Sequence, residues 1–417
     1  MGNTNYKNND IKISFNNELE NESTSSEIKS KSKISLSNEY INKENQKIKS
    51  EKDKEKNKKI KISKKKFIKK DIINYDLSIL KIDINNNEIS QILQSTIGFC
   101  NLGNTCFMNT CLQNLIHSEF FIKLLFSKKH LISKKTPITY QFFKLCIDLL
   151  DNKSIISPNN FKEQFSIKHS MFRGFKQHDT QEFCRILLED MNQELNEIES
   201  PAPYKELSTL NKTKLECNQE FDVTFKKREK SLIIECFYSQ IINIFKCKCG
   251  FETFSFEKIL DFPLLFHKGN KKINLKELLD EYFKKEKIKF ETKCEKCHKK
   301  EEHMKIVKFS QPPNILILSL QRRNERTGRK NNAEVSFPEK LDIHDYIDED
   351  CGYQNENKYI LYGIGNHLGD MDFGHYFAYI KLNGYNWYEF NDSKVCPYLK
   401  IDKSSSSAYV LFYKKIE

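Results

Sequence analysis

Apolar and polar residues change rhythm repeatedly along these 417 residues, and each change marks an element. Spacings of three and four predict helices over 119–126, 139–150 and 159–165, the last behind Ser157-Pro158 as a start signal. A further helix opens at Asp179, an N-cap residue with Glu182 three positions on, and carries Cys184, Leu187, Leu188 and Met191 on one face. Leu275, Leu278, Leu279, Tyr282 and Phe283 predict an amphipathic helix over 274–283. Dense Ile and Phe predict a strand over 231–245. Ile315 to Leu320 reads as a fully buried strand that emerges with Arg322 and Arg323. Residues 201–230 form a polar excursion with some helix, and 71–95 alternate Ile and Leu with polar residues like a short strand or arm.

One stretch changes character at a single residue. Gly98-Phe99-Cys100-Asn101-Leu102-Gly103-Asn104-Thr105 reads as loop, whereas Cys106 to Leu115 reads as helix, with Met108, Leu112 and Leu115 on one face. Glycines, Asn and Thr before the change predict a sharp bend and a helix capped by a side-chain oxygen. Cys106 then sits at a helix N-terminus, where exposed N–H groups and the dipole favour thiolate over thiol. A free cysteine is more often only a small buried hydrophobe. The far end of the chain tips the balance: Gly374-His375-Tyr376 and then Asn391-Asp392 supply a histidine and an Asx, the order of a thiol hydrolase whose parts meet in the fold.

Composition separates the first 70 residues from the rest. They hold 19 lysines against 10 acidic residues, nine of the chain's twelve net positive charges, with no Cys, His, Trp or Pro. So polar a segment cannot bury a core and is expected to be a disordered tail, its Lys runs diluted by Asn and Glu and without an arginine for nucleic acid. No apolar run approaches a membrane span and no signal-peptide core opens the chain, which predicts a soluble intracellular protein. All 13 cysteines lie beyond Lys70, an odd number at irregular spacing, which suits a nucleophile and a metal better than a disulfide framework. Cys247-Lys248-Cys249 and Cys294-Glu295-Lys296-Cys297 are paired as a structural four-cysteine zinc site requires, and zinc is the expected ion. One residue inside the first pair, where two are usual, leaves Cys236 or His298 as alternatives for the fourth ligand.

Taken together, Asn101-Leu102-Gly103-Asn104-Thr105-Cys106-Phe107-Met108-Asn109, Gly374-His375-Tyr376, Gln177-His178-Asp179-Thr180-Gln181-Glu182-Phe183 and the paired cysteines resemble the ubiquitin-specific proteases, papain-like deubiquitinating cysteine proteases, from about Thr96 to the C-terminus. The resemblance implies an α+β hand: a helical thumb, β fingers over about 231–310 and a β palm within a catalytic domain of 96–417, behind the 1–70 tail and a 71–95 linker. It implies Cys106 as nucleophile, His375 as general base rather than His367, Asn391 to orient the imidazole with possible support from Asp392, and Asn101 in the oxyanion hole. Asp179 and Glu182 become acceptors for arginines of the ubiquitin tail, and Tyr376 a wall of a channel that admits only glycine. The resemblance also implies a strand over 251–265, and Arg323 stands where the family usually has Phe and is expected to affect packing rather than chemistry. The implied protein is a monomer acting on ubiquitin and ubiquitinated proteins, with structural zinc, no catalytic cofactor, and no membrane or nucleic-acid partner. A protease for another ubiquitin-like modifier and a non-catalytic ubiquitin-binding scaffold are the competing readings.

Overall fold

The computed structural model describes residues 75–416 apart from 152–153, 210, 267–270, 289–291, 324–327, 371–372, 400 and 402–403; the basic segment 1–70 lies outside them. Helices gather at one side of the domain. The cysteine helix, Cys106–Ile116, is buried at every position, because helices and a sheet cover it all round. With helices Glu119–Ser127, Pro137–Asp148, Asn159–Lys168 and Thr180–Glu194 it builds a core through Leu112, Leu115, Phe121, Phe142, Phe165 and Leu187.

On the other side lies an eight-stranded sheet, the palm. Its path runs Lys394–Tyr398, Asn386–Asn391, Gly374–Leu382, Lys358–Gly369, Ala408–Lys415, Ile315–Gln321 and Phe262–Leu265, with Lys340–Asp342 branching off Lys358–Gly369. Ile315–Gln321 is buried almost throughout, as its unbroken apolar run requires. A four-stranded sheet of Glu252–Ile259, Ser239–Lys246, Met304–Gln311 and Glu286–Lys287 forms the fingers, with the hairpin Thr292–Lys293 and Lys300–Glu301 beyond it. Among the described residues no helix is long and apolar enough to cross a membrane.

Four expectations change. Ser231 does not begin a strand: its Oγ accepts from Ile234 N–H and caps a helix, Leu232–Phe237, so the strand starts at Ser239. A short apolar run carries no periodicity to separate the two, and the cap decides. Residues 86–93 are helical rather than extended, closed by a capping box of Asn85 and Glu88, with Ile89 and Ile92 buried. The 251–265 stretch is two strands in two sheets, broken where Asp261 accepts from Gln181 Nε2 at 2.6 Å and Ser319 Oγ at 3.2 Å. At the end of the buried strand Arg322 rather than Arg323 sets the packing. Arg322 is fully buried and donates to the carbonyls of Ala408, Asn331, Ala333 and Ser405, while Arg323 is exposed.

Strand Gly98–Phe99 leads into the cysteine turn, and its approach to the palm is close. Phe99 N–H donates to the Asp392 carbonyl at 2.9 Å, and a Cβ on Gly98 would lie 2.5 Å from that same oxygen. Gly98→Ala must push the two turns apart, and overpacking of this kind costs about 1–3 kcal/mol. Urea unfolding is expected to show that loss together with reduced thiol reactivity at Cys106. An alanine variant as stable as the parent would show that the approach is slack.

Candidate active site

The turn before Cys106 is made by two successive left-handed residues, Gly103 at φ +93° and Asn104 at φ +56°. Asn101 Oδ1 holds it closed, accepting from Gly103 N–H at 3.0 Å and Thr105 N–H at 3.1 Å. Thr105 Oγ1 accepts from Leu102 N–H at 2.8 Å. That hydroxyl therefore serves the turn and not the helix: Thr105 is the N-cap, yet makes no side-chain cap bond. The expected side-chain cap gives way to first-turn amides that have no side-chain acceptor at the end of the helix where Cys106 sits.

His375 approaches from the palm strand Gly374–Leu382. Its Nε2 lies 2.7 Å from Asn391 Oδ1, and Asn391 Nδ2 donates to Glu389 Oε1 at 3.1 Å, which fixes the carboxamide with its oxygen toward the ring. The Cys106 thiol beside the imidazole, helped by Asn391 and opposed by burial, pushes its pKa up to about 9. At neutral pH the ring accordingly holds its proton beside the sulfur, the state in which an imidazolium supports a thiolate.

Asp392 follows Asn391 at φ +53° and ties the two halves together. Its Oδ2 accepts from Asn101 Nδ2 and its Oδ1 from Asn109 Nδ2, each at 2.8 Å. One carboxylate thus grips the cysteine turn and the first turn of the cysteine helix. Asn101 keeps its second amide hydrogen for an oxyanion. The sequence shows Asn109 without its role; the signal was its position three residues after Cys106, which brings its side chain back over the start of the helix.

The other candidates separate by environment. Asp179 caps the helix Thr180–Glu194 through Oδ1, to Gln181 N–H at 2.7 Å and Glu182 N–H at 3.2 Å, and its Oδ2 accepts from Tyr409. Its oxygens are thus committed within the fold, and Glu182 carries the half-buried carboxylate beside them. Tyr376 is buried, its ring 4.3 Å from that of His367 and 5.7 Å from Tyr409, so the expected channel wall lies beneath the surface. His367 is buried as well. Burial, then Lys330, His375 and Arg322, pushes its pKa down to about 4, which leaves it neutral and structural.

In the fingers, Cys247, Cys249, Cys294 and Cys297 converge with all four Sγ atoms within 4.8 Å of one another. Cys247–Cys297 and Cys249–Cys294 are 3.8 and 3.7 Å apart, against an edge of about 3.8 Å for a tetrahedron of thiolates at 2.3 Å from an ion. The donor set therefore fits a soft tetrahedral metal ion. The single residue inside the first pair suffices because the pair sits on a tight hairpin, with Gly250 N–H donating to Cys247 O and Gly250 at φ +87°. Cys236 is buried in helix Leu232–Phe237 within the main core, and His298 is an exposed turn residue at φ +57°; neither joins the cluster.

The family profile described as ubiquitin carboxyl-terminal hydrolase matches residues 97–413. Ubiquitin carboxyl-terminal hydrolase 21 of Bos taurus is 28% identical over 352 residues, covering 77% of this chain and 62% of the relative. Ubiquitin carboxyl-terminal hydrolase 2 of Rattus norvegicus is 30% identical over 343 residues, covering 78% and 55%. The chain thus spans about three fifths of the length of these relatives. The SAGA Ubp8/Sgf11/Sus1/Sgf73 DUB module bound to ubiquitin aldehyde contains a similar fold, with a TM-score of 0.63 at 24% identity over 83% of this chain and 77% of that one. The same module bound to monoubiquitin gives 0.61 at 23% identity, covering 78% and 70%. With the profile running from just before the cysteine turn to the last palm strand, this chain belongs to the ubiquitin carboxyl-terminal hydrolase family.

Proposed function

We propose that the chain is a thiol-dependent isopeptidase that hydrolyses the bond after the C-terminal glycine of ubiquitin in its conjugates. The observation that carries this reading is His375, hydrogen-bonded to Asn391 Oδ1 and set beside Cys106 at the seam between a cysteine helix and a palm strand. Cys106 Sγ attacks the glycine carbonyl, and the oxyanion is met by the Cys106 N–H and the free amide hydrogen of Asn101. The His375 imidazolium gives its proton to the departing lysine amine, leaving a thioester on Cys106. His375 then takes a proton from water, which attacks the thioester, releases the ubiquitin carboxylate and restores the thiolate–imidazolium pair. An assembled triad argues against a scaffold that only binds ubiquitin. For the charged tail, Glu182 offers the more open carboxylate.

Zinc is the ion proposed for the four cysteines, since tetrahedral thiolate sites select it and the position is remote in sequence from the chemistry. It would hold the hairpin after Lys246 against the one after Lys293 and would take no part in catalysis. Elemental analysis of the purified chain is expected to find about one zinc per molecule. Near-zero metal in a folded, active preparation would contradict the assignment.

Turnover of ubiquitin bearing a C-terminal fluorogenic amide tests the activity. Cys106→Ser is expected to lower it at least about a thousandfold, because a hydroxyl must be deprotonated during attack. Cys111→Ser is the control. Cys111 is deeply buried on the same helix, and burial together with neighbouring Cys184 holds its thiol far above the usual range. Its loss is expected to cost about 1 kcal/mol of stability with turnover within about twofold. Normal turnover by Cys106→Ser would overturn the assignment. Labelling by an active-site probe of another modifier, and not by the ubiquitin probe, would redirect the substrate.

A further inference from the structure

Gln177 lies in the loop before the helix Thr180–Glu194, 197 residues from the glycine it holds. Its Nε2 donates to Gly374 O at 2.9 Å, and its Oε1 accepts from Gly374 N–H at 3.0 Å. A side-chain carboxamide has the donor and acceptor of a peptide group, so this pair of bonds copies the exchange between paired residues of antiparallel strands.

Gly374 is where an extended chain would make that exchange. On one side its strand pairs with Lys358–Gly369 through Gly369↔Gly374; on the other, pairing with Asn386–Asn391 ends at Ala378↔Phe390. Residues 374–377 therefore run past the neighbouring strand, and the peptide groups of Gly374 face outward immediately before His375. Gly374 offers nothing else to a partner. A Cβ there would lie 2.0 Å from His367 Nε2, so the position admits no side chain and presents backbone alone. An extended peptide whose carbonyl reaches Cys106 must run along this edge, adding a strand by the usual main-chain bonds.

We infer that Gln177 is a substrate-displaced latch, whose carboxamide fills on Gly374 the pairing position that a backbone peptide group of the ubiquitin tail takes on entry. The inference rests on the reading of the chain as a hydrolase of the ubiquitin tail. In the free protein the latch joins the loop of the thumb to the histidine strand of the palm. Each entering tail exchanges two bonds for two and gains little from them. Affinity is reduced by the fraction of molecules that are latched. Only a single half-buried side chain need swing aside.

The test measures KM and kcat for the fluorogenic ubiquitin amide, and affinity for free ubiquitin in a Cys106→Ala background, using the full chain with and without Gln177→Ala. Removing the latch is expected to lower KM and the ubiquitin Kd by at least about threefold, the effect of a latch closed in roughly two thirds of molecules, with the change falling on KM rather than kcat. Gln177→Asn, too short to span both bonds, is expected to do the same and serves if the alanine variant folds poorly. A variant that melts with the parent yet binds ubiquitin equally or more weakly would overturn the latch, while parent turnover keeps the functional reading intact. Failure of the parent to bind and turn over ubiquitin would instead overturn that reading, and the latch with it.

Discussion

The carboxylate of Asp392 is the contact on which the site depends. It accepts from Asn101 at one oxygen and from Asn109 at the other, while its carbonyl accepts from Phe99 N–H. Charge-assisted bonds of this kind contribute about 1.5–3 kcal/mol each, enough to hold Asp392 and the turn around Asn104 in left-handed conformations that non-glycine residues seldom adopt. The nucleophile comes from a helix and the base from a sheet, elements with no sequence neighbours in common. A single acidic residue, adjacent to the one that orients His375, fixes their relation. Breaking that grip would leave both halves folded and packed, but would free the turn before Cys106 from the turn after Asn391.

Around this contact the fold divides labour by burial. The cysteine helix is packed on every side and cannot drift, and the palm strand carrying His375 is paired along its length with Lys358–Gly369. Behind them, buried Arg322, Tyr376 and neutral His367 fill the ground beneath the site with satisfied or uncharged groups. The titratable chemistry is left to His375, which holds its proton because Cys106 and Asn391 both engage it. The fingers are tied at their tip by four convergent cysteines, beyond the stretch where Ile241, Ile242 and Ile244 are buried.

What the sequence disclosed was what is local in it. The turn before Cys106, the cap at Asp179, and the paired cysteines write their chemistry within a few residues, and each appears where the spacing put it. Longer-range determinants left no such trace. Ser231 capping a helix inside an Ile-rich run, Asp261 splitting one apolar stretch between two sheets, and the burial of Tyr376 all depend on partners far along the chain. The side-chain cap expected for the cysteine helix is absent, because the Thr105 hydroxyl accepts from Leu102 N–H and closes the turn instead. Asn109 and Gln177 stood inside recognisable motifs, yet their partners, Asp392 and Gly374, are known only once the palm is assembled.

The most direct test of this account is the turnover of a ubiquitin C-terminal amide by Asp392→Asn. The substitution keeps the size of the side chain but turns one of its two acceptors into a donor facing a carboxamide N–H, so one arm of the grip must open. The account predicts that kcat/KM falls at least about thirtyfold, some 2 kcal/mol of transition-state stabilisation, while the variant still binds ubiquitin. An Asp392→Asn chain that hydrolyses the amide at the parent rate would contradict it.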